Sequence, residues 1–197
     1  MSQSNYGMVE TIKNIFYVFR TKIFFPKARM IRTPIVIRGQ KYIDFGKNLT
    51  TGSRCRIEVH GNHKNKRLFF GNNVNIGYDV RISCCDKIEI GNNVLMGSRV
   101  LIIDNSHGKY SGVGLQDSPN MIPNKRKIVS RPIKIEDNVW IGENVVVQMG
   151  VTIKYGSVIA ANSVVTKDVP SMCIVAGMPA KVIKKYDKEK KEWRKIV

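Results

Sequence analysis

The stretch IEDNVWIGENVVVQMGVTIKYGSVIAANSVVTKDVP, residues 135–170, decides the fold. Every sixth residue from its start is apolar: Ile135, Ile141, Val147, Ile153, Ile159 and Val165. Four places after each stands a small or β-branched residue: Val139, Val145, Val151, Ser157, Ser163 and Val169. Inward positions spaced four and then two apart fit short strands with one buried face, and they match no 3.6-residue helical stripe. The fourth places hold Asn138, Asn144, Gly150, Gly156, Asn162 and Asp168, residue types that tolerate left-handed backbone readily, so the chain turns every six residues.

The same hexad extends backwards from Phe45, Thr51, Phe70, Ile76, Ile90 and Met96, among which only Thr51 is not apolar. Its fifth places are Leu49, Cys55, Val74, Val80, Val94 and Val100; its fourth are Asn48, Asn73, Asp79 and Asn93, with Arg54 and Arg99 as exceptions. A chain built this way winds into a solenoid with three flat faces, an all-β parallel β-helix. Each coil pairs only with its neighbours and cannot bury its interior alone, so coils must stack and the ends need caps. A β-sandwich with an accidental period would leave this agreement between hexads unexplained.

Three segments stand outside the repeat, and they divide the 197 residues into an N-terminal segment 1–42, a β-helix domain 43–180 and a tail 181–197. Residues 8–25 place Val9, Ile12, Phe16, Phe19 and Ile23 at helical spacing among Lys13, Arg20 and Lys22, which predicts a short basic amphipathic helix ended by Pro26. Packing against its own trimer or coil is the preferred reading, and a membrane surface the rival. The tail, with eight Lys or Arg against three acids and Trp193 near its end, reads as a second basic helix. The loop 104–132 interrupts the hexads, carries Pro119 and Pro123, and is long enough to be expected to serve function.

Charge and composition narrow the class. With 33 Lys+Arg against 15 Asp+Glu the formal charge is +18, which invites a polyanion, an anionic membrane or a phosphorylated ligand. No nucleic-acid module or aromatic and basic interleaving appears, so nucleic acid is not the expected partner. No apolar run reaches the roughly 18 residues that a membrane span needs. The start lacks a clean apolar core followed by small cleavage-site residues, which predicts a cytoplasmic protein, able to work at the inner face of the membrane. Cys55, Cys84, Cys85 and Cys173 form no CxxC pair and read as reduced thiols; neighbours such as Cys84 and Cys85 face opposite sides of a strand, so no metal is expected. Of three histidines, His60 and His63 lie in the basic stretch VHGNHKNKR, read as a solvated turn, and His107 follows the break in the repeat.

Together the hexads IGNNVLMGSRVLI, the segment IDNSHG, the run IEDNVWIGENVVVQMGVTI and the ending SVVTKDVPSMCIVAGMPAKVIKKY resemble the hexapeptide-repeat acetyltransferases over residues 43 to about 186. Within them the likeness is to the galactoside and maltose branch, above all to the O-acetyltransferases of lipopolysaccharide and O-antigen biosynthesis. That resemblance implies a left-handed β-helix, a homotrimer with active sites between neighbouring subunits, acetyl-CoA as donor, and as acceptor a saccharide of lipopolysaccharide, O-antigen or capsule.

It also implies roles. His107 matches the family's catalytic histidine, and a base suits the task because an alcohol holds its proton tightly while neutral imidazole is available near pH 7. Asp104 or a backbone carbonyl would orient its ring. A backbone N–H around Gly142 and Glu143 would hold the developing oxyanion. Trp140 would stand beside acceptor and donor, and Asp79 would contact the acceptor sugar where sugar acetyltransferases usually carry Asn. Ala161 would line the pantetheine arm, with Thr166 and Lys167 near the arm and phosphates. Ala176, Gly177, Pro179 and Lys181 would border the nucleotide, with Lys181 on the 3′-phosphate, although small residues also suit tight corners. The alternatives are N-acetylation of an amino sugar or antibiotic, a cysteine nucleophile, the zinc carbonic anhydrase of this solenoid, which lacks its grouped histidines here, and a non-catalytic scaffold.

Overall fold

The computed structural model describes residues 7–196; residues 1–6 and 197, the outermost parts of the N-terminal segment and the tail, lie outside it. Short parallel strands stack into three faces. The first face runs from Met30–Ile31 through Thr50–Thr51, Asn75–Ile76, Leu95–Met96, Trp140–Ile141 and Val158–Ile159 to Cys173–Ala176. The second stacks Ile35–Arg38, Cys55–Val59, Arg81–Cys84, Leu101–Ile103, Val146–Val147 and Val164–Val165. The third stacks Ile43–Asp44, Leu68–Phe70, Ile88–Ile90, Ile133–Ile135 and Thr152–Ile153.

Hexad positions coincide from coil to coil, with Thr51, Ile76, Met96, Ile141 and Ile159 in one row. The first positions other than Phe45, and every fifth position, are buried, so the repeat is the core, each large aliphatic side chain contributing about 1.5–3 kcal/mol. The fourth positions take positive φ in all hexads but the last, including Arg54 at 59° and Arg99 at 57°. Their side chains account for the two arginines: Arg54 forms a two-pronged pair with Asp79 at 2.7 Å for each prong, and Arg99 pairs with Glu143 at 3.0 Å. Asp168 departs from expectation. Its carboxylate accepts the Thr152 N–H at 2.8 Å, and the next positive φ along the chain is at Met172.

Coil length varies in one place only. Asparagines hydrogen-bonded between neighbouring coils are 18 residues apart at Asn144 and Asn162, but 25 at Asn48 and Asn73, 20 at Asn73 and Asn93, and 45 at Asn93 and Asn138. All the excess leaves the corner between the second and third faces, after Val59, Cys84 and Ile103. The longest excursion is more ordered than expected: Asn105–His107 pairs antiparallel with Ile128–Ser130, making a two-stranded arm.

One expectation fails at the ends. The tail is a β-hairpin and not a helix: Lys181–Asp187 adds antiparallel to Cys173–Ala176, and Glu192–Lys195 adds to it, with Tyr186 and Trp193 edge to face at 5.3 Å. Val182, Lys184 and Tyr186 are half-buried with exposed residues between them, a period of two that the run of lysines disguised, and the open edge of the first face supplies the pairing. The N-terminal helix α1, Met8–Phe24, does form. Its apolar stripe, however, does not pack on the coil. Instead Asn14 Oδ1 accepts from Arg32 Nε at 3.2 Å, the Tyr17 hydroxyl donates to the Thr33 carbonyl at 3.2 Å, and Thr21 Oγ1 accepts the Ile31 N–H at 2.8 Å.

Candidate functional site

The corner that carries every insertion also gathers polar side chains. Asp104, fully buried at the base of the arm, accepts the backbone N–H groups of Cys85 at 2.7 Å and Asp86 at 2.8 Å, one coil below. Asn105 Nδ2 donates to Asp104 Oδ1 at 3.1 Å and to the Ser83 carbonyl at 3.3 Å. His60 Nε2 stands 3.3 Å from Ser83 Oγ, and His63 Nε2 stands 2.7 Å from the His60 carbonyl. The two histidines are therefore half-buried members of a network and not a solvated turn. The lengthened corners, readable as unequal spacing between the turn asparagines, were the signal that would have placed His60, Ser83, Asn105 and the arm together.

Beside them Glu58 is fully buried among Arg56 at 2.6 Å, Arg38 at 3.1 Å and Arg81 at 3.8 Å. Burial raises its pKa, but the Arg56 hydrogen bond and the charges of Arg56, His60 and Arg38 outweigh it and hold the carboxylate below its ordinary range.

His107 ends the outgoing strand of the arm with its side chain exposed. Among the described residues none hydrogen-bonds its ring, and Asp104, whose oxygens serve Cys85, Asp86 and Asn105, does not orient it. Its carbonyl accepts from the Tyr110 hydroxyl, which in turn accepts from Arg126 Nη1 at 2.6 Å, and Arg126 Nη2 donates to the Met121 carbonyl at 2.9 Å. That clamp fixes the backbone at the histidine and leaves the imidazole free for a ligand.

The other predicted residues fall into two groups. Asp79, Gly142, Glu143 and Ala161 occupy the corner between the first and second faces, and Trp140 stands exposed on the first face beside Leu95. A second-face strand separates this corner from the arm; from Arg99 to Asp104 that is five residues, about 16 Å when extended. One chain thus does not bring His107 to Asp79, Trp140 or Glu143. Asp79 is held by Arg54, whose hydrogen bond and charge, with Arg99, keep its carboxyl below the usual range. Of the two oxyanion candidates, buried Gly142 donates its N–H to the Ile159 carbonyl at 2.8 Å, which removes it from the role. The Glu143 N–H meets no acceptor among the described residues.

The second group caps the top of the second face. Gly177, at φ 101°, accepts the Val164 N–H at 3.0 Å and donates to Ser163 Oγ at 3.2 Å, and Ala180 donates to the Val164 carbonyl at 2.8 Å. The Ala176–Lys181 turn therefore lies across Ser163 and Val164, between Ala161 at one corner and exposed Thr166 and Lys167 at the other. Register stacks Ile102, Val147 and Val165, so Thr166 stands two strand spacings, about 10 Å, above the root of the arm.

The thiols do not suit nucleophilic work. Burial and then the charge of Asp104 push Cys85 up to about 11, and burial also raises Cys55, Cys84 and Cys173. Among the described residues no three His, Cys, Asp or Glu side chains cluster to hold a metal ion.

A family model described as hexapeptide repeat of succinyl-transferase matches residues 132–167. A putative lipopolysaccharide biosynthesis O-acetyl transferase of Escherichia coli, WbbJ, is 38% identical over 190 residues, 96% of this chain and 95% of that protein. Among solved structures, a maltose O-acetyltransferase from Clostridium difficile covers 92% of this chain and 90% of its own at 27% identity, with a TM-score of 0.55. AntD, an N-acyltransferase from Bacillus cereus solved with dTDP-4-amino-4,6-dideoxyglucose and coenzyme A, matches at a TM-score of 0.67 and 19% identity over 83% of each chain, a likeness of fold. The stacked coils are a left-handed β-helix.

Proposed function

Because the chain belongs to the hexapeptide-repeat acetyltransferases, we propose that it transfers acetyl from acetyl-CoA to a hydroxyl of a surface-polysaccharide sugar or its precursor. The observation that carries the reading is the near full-length likeness to the Escherichia coli O-acetyl transferase, joined to a histidine on a clamped arm with an unengaged ring.

In this reading His107 takes the proton of the acceptor hydroxyl as its oxygen bonds to the thioester carbonyl carbon. The carbonyl electrons move to oxygen, the Glu143 N–H donates a hydrogen bond to that oxyanion, and return of the electrons expels the CoA thiolate, which takes up the proton from His107. One such donor is worth about 3 kcal/mol and the base about 10²–10⁴ in rate. No acyl-enzyme forms, in keeping with raised thiol pKa values. Thr166, Lys167 and the turn from Ala176 to Lys181 would hold the donor, with Lys181 on the 3′-phosphate. The separation of His107 from Asp79, Trp140 and Glu143 across one face favours a homotrimer in which the arm of one subunit meets the opposite corner of its neighbour.

The test is to incubate the protein with acetyl-CoA and saccharide acceptors and identify the product by mass spectrometry. Alkali-labile acetyl on a neutral sugar, lost with His107→Ala, supports the reading. Transfer only to amines would replace it with N-acetylation, and transfer unaffected by His107→Ala would remove the base.

A further inference from the structure

We propose that α1 is an in-plane anchor whose outer face rests on an anionic lipid surface. This rests on the helix alone and is independent of the acetyl-transfer reading. A helix on a water-soluble protein ordinarily turns its apolar stripe inward. Here the order is reversed. Asn14, Tyr17 and Thr21 tie the polar side to Arg32, Thr33 and Ile31, while Val9, Ile12, Ile15, Phe16, Phe19 and Ile23 are 58–67% exposed. At 100° per residue these six fall within an arc of about 120°, opposite the three anchoring residues.

Cations border that stripe: exposed Lys13 and half-buried Arg20 on one side, the Arg20 guanidinium 5.4 Å from the Phe24 ring centre, and on the other Lys22, whose ammonium donates to the Ala28 carbonyl at 2.9 Å. Long cationic side chains at the rim of an apolar face suit headgroup phosphates above acyl chains. A second copy of the helix would set like charges against like, whereas the anionic surface complements both them and the overall +18. At 17 residues no described helix is long and apolar enough to cross a bilayer, so α1 lies along the surface.

The full chain is sedimented with phosphatidylcholine vesicles, alone or with roughly one-third phosphatidylglycerol, at low and high salt. Binding to the anionic vesicles that falls with salt and disappears in Phe16→Asp/Phe19→Asp is expected. Lys13→Glu/Arg20→Glu, which keeps the stripe, should bind at least about thirtyfold more weakly. The proposal is overturned if the wild type stays in the supernatant with anionic vesicles at low salt, or if both variants bind like it. It is equally overturned if Phe16→Asp/Phe19→Asp abolishes the wild-type oligomer in sedimentation equilibrium, since the face then belongs to a second copy.

Discussion

Asp104 accepts the backbone N–H of Cys85, one coil below, at 2.7 Å, so the aspartate three residues before His107 holds the root of the arm and not the imidazole. Asp104→Ala strands two half-buried donors and should cost about 2–3 kcal/mol in urea unfolding, while Asp104→Asn, which keeps one acceptor, should cost less. Equal losses in the two variants would argue against this assignment.

The Arg54 and Asp79 pair links two coils, and Asp79 titrates below its unfolded value of about 3.9. Its contribution is therefore complete above that pH and vanishes as pH falls through the lower folded value. Arg54→Met should melt below the wild type at pH 7 and converge with it in acid. A gap that persists to the lowest pH at which the protein stays folded would show that the charge is not responsible.

Packing at the corner of the candidate oxyanion donor leaves no room for a side chain. A Cβ on Gly142 would lie 2.6 Å from the Ala161 nitrogen and 2.8 Å from the Ile159 carbonyl oxygen. Gly142→Ala should destabilise by about 1–3 kcal/mol, and by shifting the Glu143 amide it should lower kcat more than it raises KM for acetyl-CoA. A stable, fully active variant would show that the corner yields.

Cys85, pushed up to about 11 by burial and then Asp104, is a thiol at neutral pH. Cys85→Ser should keep activity within a fewfold of wild type, and labelling by a disulfide reagent at pH 7 should be slow. Loss of activity in a folded Cys85→Ser would restore the cysteine mechanism.

The solenoid was legible because each hexad combines two constraints, an inward apolar residue and a turn that only certain residues accept. Even Arg54 and Arg99, the exceptions in the pattern, mark places where a charged partner one coil away outweighs the local cost. The tail misled because its lysines hide a period of two, and its conformation is set by the open edge beside Cys173–Ala176. At the site, the likeness pointed to His107 and to the amide region, but a sequence does not say which N–H is already spent: Ile159 takes that of Gly142. Nor does it show which side of α1 its neighbours hold.

The central claim is an acetyl-CoA enzyme, and calorimetric titration of the purified protein with acetyl-CoA tests it without knowledge of the acceptor. Saturable binding at one site per chain is predicted, weakened in Lys167→Ala and Lys181→Ala because each removes a cation from a phosphate, and unchanged in His107→Ala. A folded protein that takes up no heat at millimolar acetyl-CoA would contradict the account and leave the β-helix as a scaffold.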